Sequence, residues 1–125
     1  MGNLDLKGLR IFIVEDEMMV AMLIEDMLSD LGCEIVGPVG RIEEALALAE
    51  EQPIDAAILD VNLNGHETYP VADVLQRRKI PFVFATGYGA GGLAERFRDM
   101  PVLQKPFQER DLARLLAEVV AQRAE

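Results

Sequence analysis

Residues 9–17 have the sequence Leu-Arg-Ile-Phe-Ile-Val-Glu-Asp-Glu, an apolar run that ends abruptly in three acids. Residues 56–60, Ala-Ala-Ile-Leu-Asp, repeat this arrangement with a single acid at the end. Short apolar runs between turn signals are typical of strands buried on both faces, and such strands belong to parallel sheets covered by helices. The two stretches therefore predict buried strands that carry acids at their carboxyl ends.

The segments around these runs alternate between strand-like and helix-like patterns. Further strands are predicted at residues 35–37, 82–85 and 101–104. The spacing of apolar residues predicts helical segments over residues 18–31, 42–51, 70–78, 93–98 and 111–122. Five successive βα units predict an α/β fold, a doubly wound parallel sheet with helices on both faces.

Length and composition fit one domain. The 125 residues are 50% hydrophobic and 27% charged, so we expect a single domain over residues 1–125, structured over about 8–122, with no output domain. A net charge of −10 disfavours direct binding to nucleic acid. The only cysteine is Cys33, no apolar run approaches the ~20 residues of a membrane span, and the first ten residues lack a signal peptide's apolar segment. We therefore expect a cytoplasmic protein without membrane insertion.

Candidate functional residues follow the predicted strands. Parallel strands joined by right-handed crossovers end at one edge of the sheet, where such folds bind their ligands. The polar residues at that edge are Glu15, Asp16, Asp60, Thr86 and Lys105. Clustered carboxylates repel one another unless a cation neutralises them, and oxygen ligands without histidine or thiolate favour Mg²⁺.

The same residues can support phosphoryl transfer. Asp60, alone at its strand end, is the candidate nucleophile for an acyl phosphate, and Glu15 and Asp16 are the candidate metal ligands. Thr86 is a candidate hydroxyl donor to a phosphoryl oxygen, and Lys105 supplies a fixed positive charge for the transferring group.

Four motifs, in this order along the chain, resemble those of receiver domains of two-component response regulators. They are Val14-Glu15-Asp16, Leu59-Asp60-Val61-Asn62, Ala85-Thr86-Gly87 and Lys105-Pro106-Phe107. The resemblance covers essentially the whole chain and implies a flavodoxin-like (βα)5 sheet with strand order 2-1-3-4-5. It also implies Mg²⁺ as cofactor, Asp60 and the backbone carbonyl of Asn62 as further metal ligands, and a cis peptide bond at Lys105-Pro106.

Residues 81–89, Pro-Phe-Val-Phe-Ala-Thr-Gly-Tyr-Gly, resemble the FATGUY subgroup of receivers, often single-domain proteins paired with HWE-type histidine kinases. The resemblance implies a sensor histidine kinase or a phosphotransfer protein as donor, a downstream protein partner, and a monomer or weak dimer. Val102 stands where many receivers carry an aromatic switch residue. We therefore expect the glycine-rich stretch after Thr86 to report phosphorylation, with Tyr88 covering the site.

The expected function is that of a stand-alone phosphoacceptor switch whose output is binding, and hence not an enzyme. A small phosphohydrolase using Asp60 as a transient nucleophile is an alternative, although Asn62 stands where a haloacid-dehalogenase-type phosphatase would have its second aspartate. A flavodoxin-like redox carrier is disfavoured because the acids after the first strand would repel a flavin phosphate. A receiver-like adaptor that is never phosphorylated stays open.

The first predicted helix is rich in methionine. Met18, Met19, Met22 and Met27 could form a pliable partner-binding surface, because methionine adapts to varied contacts. Packing in the core is the favoured interpretation of these side chains. His66, after the third strand, is expected to be an exposed loop residue.

Overall fold

A computed structural model of the chain describes residues 6–87 and 93–123. Tyr88, predicted to cover the site, and most of the glycine-rich stretch lie outside these residues. The described elements are β1 (Arg10–Val14), α1 (Met18–Asp30), β2 (Glu34–Val39), α2 (Ile42–Glu51), β3 (Ala56–Asp60), β4 (Asn62–Leu63), β5 (His66–Glu67), α3 (Tyr69–Arg77), β6 (Phe82–Thr86), β7 (Val102–Gln104) and α4 (Glu109–Arg123). None of the helices over these residues is long and apolar enough to cross a membrane.

Five of the strands form one parallel sheet in the order β2-β1-β3-β6-β7. The other two, β4 and β5, form a separate antiparallel hairpin. When the hairpin is set aside, the sheet has the 2-1-3-4-5 order that the resemblance implied. The α/β, flavodoxin-like prediction is confirmed, and the Lys105-Pro106 peptide bond is cis as expected.

The apolar core lies in two layers, one on each face of the sheet. Alternate side chains of a strand point to opposite faces, so Phe12 and Val14 join one layer while Ile11 and Ile13 join the other. Helices α2 and α3 cover the first layer, and α1 and α4 cover the second. The central strands β3 and β6 are buried along their whole length because both faces are covered.

The segment predicted as helical over residues 93–98 is a single 3₁₀ turn, Glu95–Phe97. The prediction of a longer helix there is wrong, because tertiary contacts fix this short segment. The Ala94 N–H donates to the Tyr69 hydroxyl at 2.7 Å, and the Phe97 ring stacks on Tyr69 with centroids 5.2 Å apart. Six residues offer too few intrahelical hydrogen bonds to outweigh such contacts.

Helix α1 presents its methionines to solvent. Met18 and Met19 are 76% and 83% exposed, and Met22 is 56% exposed. The favoured prediction of core packing is wrong for these three residues and correct for Met27, which is buried. The residues of α1 that face the sheet recur at helical spacing, and the exposed methionines lie off that stripe; the buried set is Ala21, Ile24, Met27 and Leu28.

Candidate metal and phosphoacceptor site

Three carboxylates meet at the carboxyl edge of the sheet. Glu15 and Asp16 follow β1, and Asp60 is the last residue of β3. The two strands are parallel neighbours, and Val14 lies opposite Leu59. Glu15 and Asp60, the next residues along the two chains, therefore lie side by side. One oxygen from each of the three carboxylates lies within 4.8 Å of the other two. Such a set can hold a hard divalent cation.

Lys105 follows β7, which lies two strands away from β3, and its side chain extends to these carboxylates. Its Nζ donates to Glu15 Oε1 at 2.9 Å and to Asp60 Oδ2 at 3.2 Å. Its backbone N–H donates to the Thr86 carbonyl oxygen at 2.9 Å, which fixes the chain just after β7. Because β6 lies between β3 and β7 in the sheet, only a long side chain can bridge the distance. The Lys105 side chain is 18% exposed, so its charge is only partly screened by water.

Burial changes the acid–base properties of this cluster. It raises the pKa of Glu15 to about 7 from 4.5; hydrogen bonds from Lys105 and the Glu17 backbone N–H oppose the rise, and the Asp60 charge adds to it. Burial alone would lower the pKa of Lys105, but its hydrogen bond to Glu15 and the charges of Asp60 and Glu15 outweigh burial and raise it. The ammonium is therefore charged at neutral pH, and one positive charge faces three carboxyl groups. A divalent cation would relieve this imbalance.

A β-hairpin that was not predicted from the sequence lies beside the acids. Residues 61–65 contain β4 and the turn to β5, and Asn64 and Gly65 have positive φ angles of 49° and 88°. Positive φ at both central residues is the mark of a type I′ turn, for which Asn-Gly is the preferred pair. The Asn64 N–H donates to Asp16 Oδ2 at 2.9 Å, and the Asn62 N–H donates to Asp60 Oδ1 at 3.3 Å. The hairpin thus contacts two of the three carboxylates.

All the candidate residues lie in or directly beneath one open cleft. Thr86 ends β6 beside Asp60, because Ala85 lies opposite Asp60 in the register of β3 and β6. Glu15 is buried under Lys105. Glu17, which is not among the site residues predicted from the sequence, is part of the cleft wall. The residues that line the cleft are Asp16, Glu17, Asp60, Val61, Asn62, Asn64, Glu67, Thr86, Gly87 and Lys105.

The arrangement can support in-line attack on phosphorus. The Asp60 carboxylate faces an open cleft and lies beside a fixed ammonium, so an incoming phosphoryl group would meet a nucleophile and a positive charge together. A cation held by the carboxylates would add charge stabilisation on the same side.

A model of the family described as response regulator receiver domain matches residues 11–117. The chain belongs to this family. The matched range contains every candidate residue, from Glu15 to Lys105. Among curated proteins, the chain is 37% identical over 107 residues to the transcriptional regulatory protein PdtaR of Mycobacterium tuberculosis, covering 82% of this chain and 52% of that one. The chain therefore spans about half the length of the curated relatives it matches.

Solved structures of receivers agree with the fold. The solution structure of SdrG from Sphingomonas melonis is 50% identical, with a TM-score of 0.82, and the match covers 90% of this chain and 97% of SdrG. The receiver domain of a sensor histidine kinase from Pseudomonas aeruginosa is 26% identical, with a TM-score of 0.75, over 91% of this chain and 98% of that one. That crystal structure has a magnesium ion coordinated in the active site cleft.

Proposed function

We propose that this receiver is a phosphoacceptor switch of two-component signalling, in which Asp60 accepts a phosphoryl group from a histidine kinase or a phosphotransfer protein. The output is a change in binding to a downstream protein rather than turnover of a substrate. The observation that carries the proposal is the Lys105 ammonium, which bridges Asp60 and Glu15 in an open cleft. The proposal also assigns the protein to the cytoplasm, as a monomer or weak dimer, with a donor of the HWE type.

In the proposed reaction, an Asp60 oxygen forms a bond to phosphorus while the P–N bond of the donor phosphohistidine breaks. The electron pair of that bond stays on the imidazole nitrogen, which takes up a proton from solvent as it leaves. Lys105 stabilises the charge on the transferred oxygens, and the Thr86 hydroxyl donates to one of them. Bound Mg²⁺ would supply further charge neutralisation, held by Glu15, Asp16, Asp60 and the backbone carbonyl of Asn62.

A direct test uses a small phosphoryl donor, so that no partner protein is needed. Purified protein incubated with phosphoramidate and Mg²⁺ is expected to gain one phosphoryl group by intact mass, and chelation of the metal should prevent the gain. A phosphohydrolase would instead release inorganic phosphate over many turnovers without accumulating the adduct. A receiver-like adaptor would give neither product.

Asp16→Ala is expected to weaken Mg²⁺ binding by more than about tenfold, and Glu15→Ala by a few-fold only. The Asp16 carboxylate lies in the cleft wall, whereas the Glu15 carboxylate lies beneath it and is already engaged by Lys105. Mg²⁺ titrations followed by backbone amide shifts measure both affinities.

Glu44→Ala is the matched control for the metal titrations, because it removes one negative charge from an exposed position on α2. It should leave the affinity unchanged. Equal losses for Asp16→Ala and Glu15→Ala, or a larger loss for Glu15→Ala, would contradict the assignment of Asp16 as the main carboxylate ligand.

The exposed face of α1 is the proposed docking surface for the phosphoryl donor. The α1 patch consists of Met18, Met19, Met22 and Leu23, which are at least half exposed. Helix α1 begins directly after Glu17, which lines the cleft, so a protein that reaches Asp60 from this side also covers the patch. Clustered exposed apolar side chains mark interaction surfaces, and methionine adapts its shape to a partner.

Met19→Glu is expected to slow phosphotransfer from the cognate kinase by at least about tenfold, since a central apolar contact is replaced by a charge. Phosphorylation by phosphoramidate should be unaffected, because the variant leaves the cleft residues in place. Gln76→Glu adds the same charge at an exposed position of α3 and serves as the control. Equal transfer rates for wild type and Met19→Glu would show that the donor docks elsewhere.

A further inference from the structure

Thr68 binds the backbone of the strand that carries Asp60. It follows the β4–β5 hairpin and is fully buried. Its Oγ1 donates to the Asp60 carbonyl oxygen at 2.6 Å and lies 3.3 Å from the Val61 carbonyl oxygen. Its backbone N–H donates to the Val61 carbonyl oxygen at 3.0 Å. One residue therefore binds both carbonyl groups at the base of the hairpin.

This use of the hydroxyl is unusual for the residue's position. Thr68 is the N-cap of α3, where a threonine side chain ordinarily accepts a hydrogen bond from an N–H of the first helical turn. No such capping bond is made here, and the N–H groups of Val71 and Ala72 bind the Thr68 carbonyl oxygen instead. The hydroxyl is thus directed to the end of β3 rather than to its own helix.

The hairpin that Thr68 closes is also held by two acids, by Asp16 at its turn and by Asp60 at its base. Asn64 at the turn donates its N–H to Asp16, and Asn62 donates its N–H to Asp60. The Asn62 side chain accepts the Gly65 N–H at 2.8 Å, which braces the turn internally. The position of the hairpin base therefore affects where both carboxylates stand.

We propose that Thr68 is a positioning residue for the cleft: its hydroxyl sets the orientation of the Asp60–Val61 backbone and, through the hairpin, the placement of Asp60 and Asp16. The proposal rests on the proposed function of Asp60 as phosphoacceptor with a bound metal. Precise placement matters because a small displacement of a nucleophile or a metal ligand lowers the reaction rate steeply.

Thr68→Val and Thr68→Ser distinguish the contribution of the hydroxyl from that of the methyl group. Valine keeps the shape and removes the donor, while serine keeps the donor and removes a methyl group. We expect Thr68→Val to weaken Mg²⁺ binding and to slow phosphorylation by phosphoramidate, each by about tenfold. Thr68→Ser should stay within about twofold of wild type in both measurements.

Amide chemical shifts of the metal-free variants provide a readout that does not depend on phosphorylation. We expect Thr68→Val to shift the amides of Asp60 through Gly65, and Thr68→Ser to leave them close to wild type. A Thr68→Val protein with a lower Tm but wild-type Mg²⁺ affinity and wild-type shifts over this range would overturn the proposal. A Thr68→Ser protein as impaired as Thr68→Val would overturn it as well, since the methyl group would then be responsible.

Two further outcomes keep this inference distinct from the proposed function. If wild type takes up no phosphoryl group, the proposed function fails, while the amide shifts over the hairpin still decide the role of Thr68. If Thr68→Val does not fold, Thr68→Cys replaces it, because a thiol is a weaker donor. The thiol variant should then show weakened Mg²⁺ binding and shifted hairpin amides, and unchanged values would overturn the proposal.

Discussion

Asp60→Asn is expected to abolish phosphorylation by phosphoramidate, lowering the rate by at least about 100-fold. A carboxamide is a poor nucleophile, whereas the carboxylate that it replaces lies in the open cleft beside the Lys105 ammonium. Asparagine has nearly the same shape, and Lys105 keeps its hydrogen bond to Glu15. The variant should therefore fold. Intact mass measures its phosphorylation, and the amide spectrum shows whether the fold is retained.

The control for Asp60→Asn is the same substitution at an exposed aspartate outside the cleft. Asp73 on α3 is suitable, because its carboxylate pairs only with the exposed Arg96 among the ion pairs seen in residues 6–87 and 93–123. Asp73→Asn should accept a phosphoryl group at the wild-type rate. A phosphoryl adduct on Asp60→Asn, or peptide mapping of the wild-type adduct to Asp55 or Asp73, would refute the assignment of Asp60.

The sequence predicts the sheet well because its central strands are uniformly apolar. Residues 11–14 and 56–59 must be buried on both faces, so they define a parallel sheet, and the acids that follow each run must then meet at one edge. Only the register of β1 and β3, with Val14 opposite Leu59, brings Glu15 level with Asp60. That register depends on packing across the sheet and is not encoded in either run alone.

Two local features that were predicted wrongly, the β4–β5 hairpin and the exposed methionines of α1, do have a recognisable pattern in the sequence. Asn64-Gly65 is the preferred pair for a type I′ turn, and it predicts a hairpin when the flanking residues can pair. The helical spacing of Ala21, Ile24 and Leu28 likewise separates a buried stripe from Met18, Met19 and Met22. In both cases residue type alone does not predict the structure, whereas the position within the turn or relative to the polar face of the helix does.

Individual long-range contacts could not be predicted from residue spacing, although the sequence does place Glu15 and Lys105 at the same edge of the sheet. The Lys105–Glu15 hydrogen bond joins residues 90 positions apart, and it requires β7 to lie at the sheet edge beyond β6. The 3₁₀ turn near Phe97 depends in the same way on the ring of Tyr69, which belongs to another helix. The role proposed for Thr68 could not be predicted either, because the β4–β5 hairpin must first bring Thr68 next to the Asp60 carbonyl group.

Lys105→Met is expected to lower the phosphorylation rate by at least about 100-fold while making Mg²⁺ bind more tightly. The ammonium stabilises the transferring phosphoryl group, but it also competes with a cation for Glu15 and Asp60. Phosphorylation and metal affinity should therefore change in opposite directions, whereas Asp16→Ala lowers both. Phosphoramidate kinetics at saturating Mg²⁺ and amide-shift titrations measure the two quantities.

The same substitution should destabilise the metal-free protein, because Lys105 is the cation that the described residues bring into contact with Glu15 and Asp60. Its loss leaves adjacent carboxylates facing one another in a partly buried site, and the pKa of Glu15 should rise further since the lysine lowers it. Added Mg²⁺ replaces the missing charge, so it should raise the Tm of Lys105→Met more than that of wild type. Lys79→Met removes an exposed lysine outside the cleft and should change none of these values. If Lys105→Met bound Mg²⁺ more weakly than wild type, Lys105 would have to hold the carboxylates in their metal-binding positions rather than compete for them.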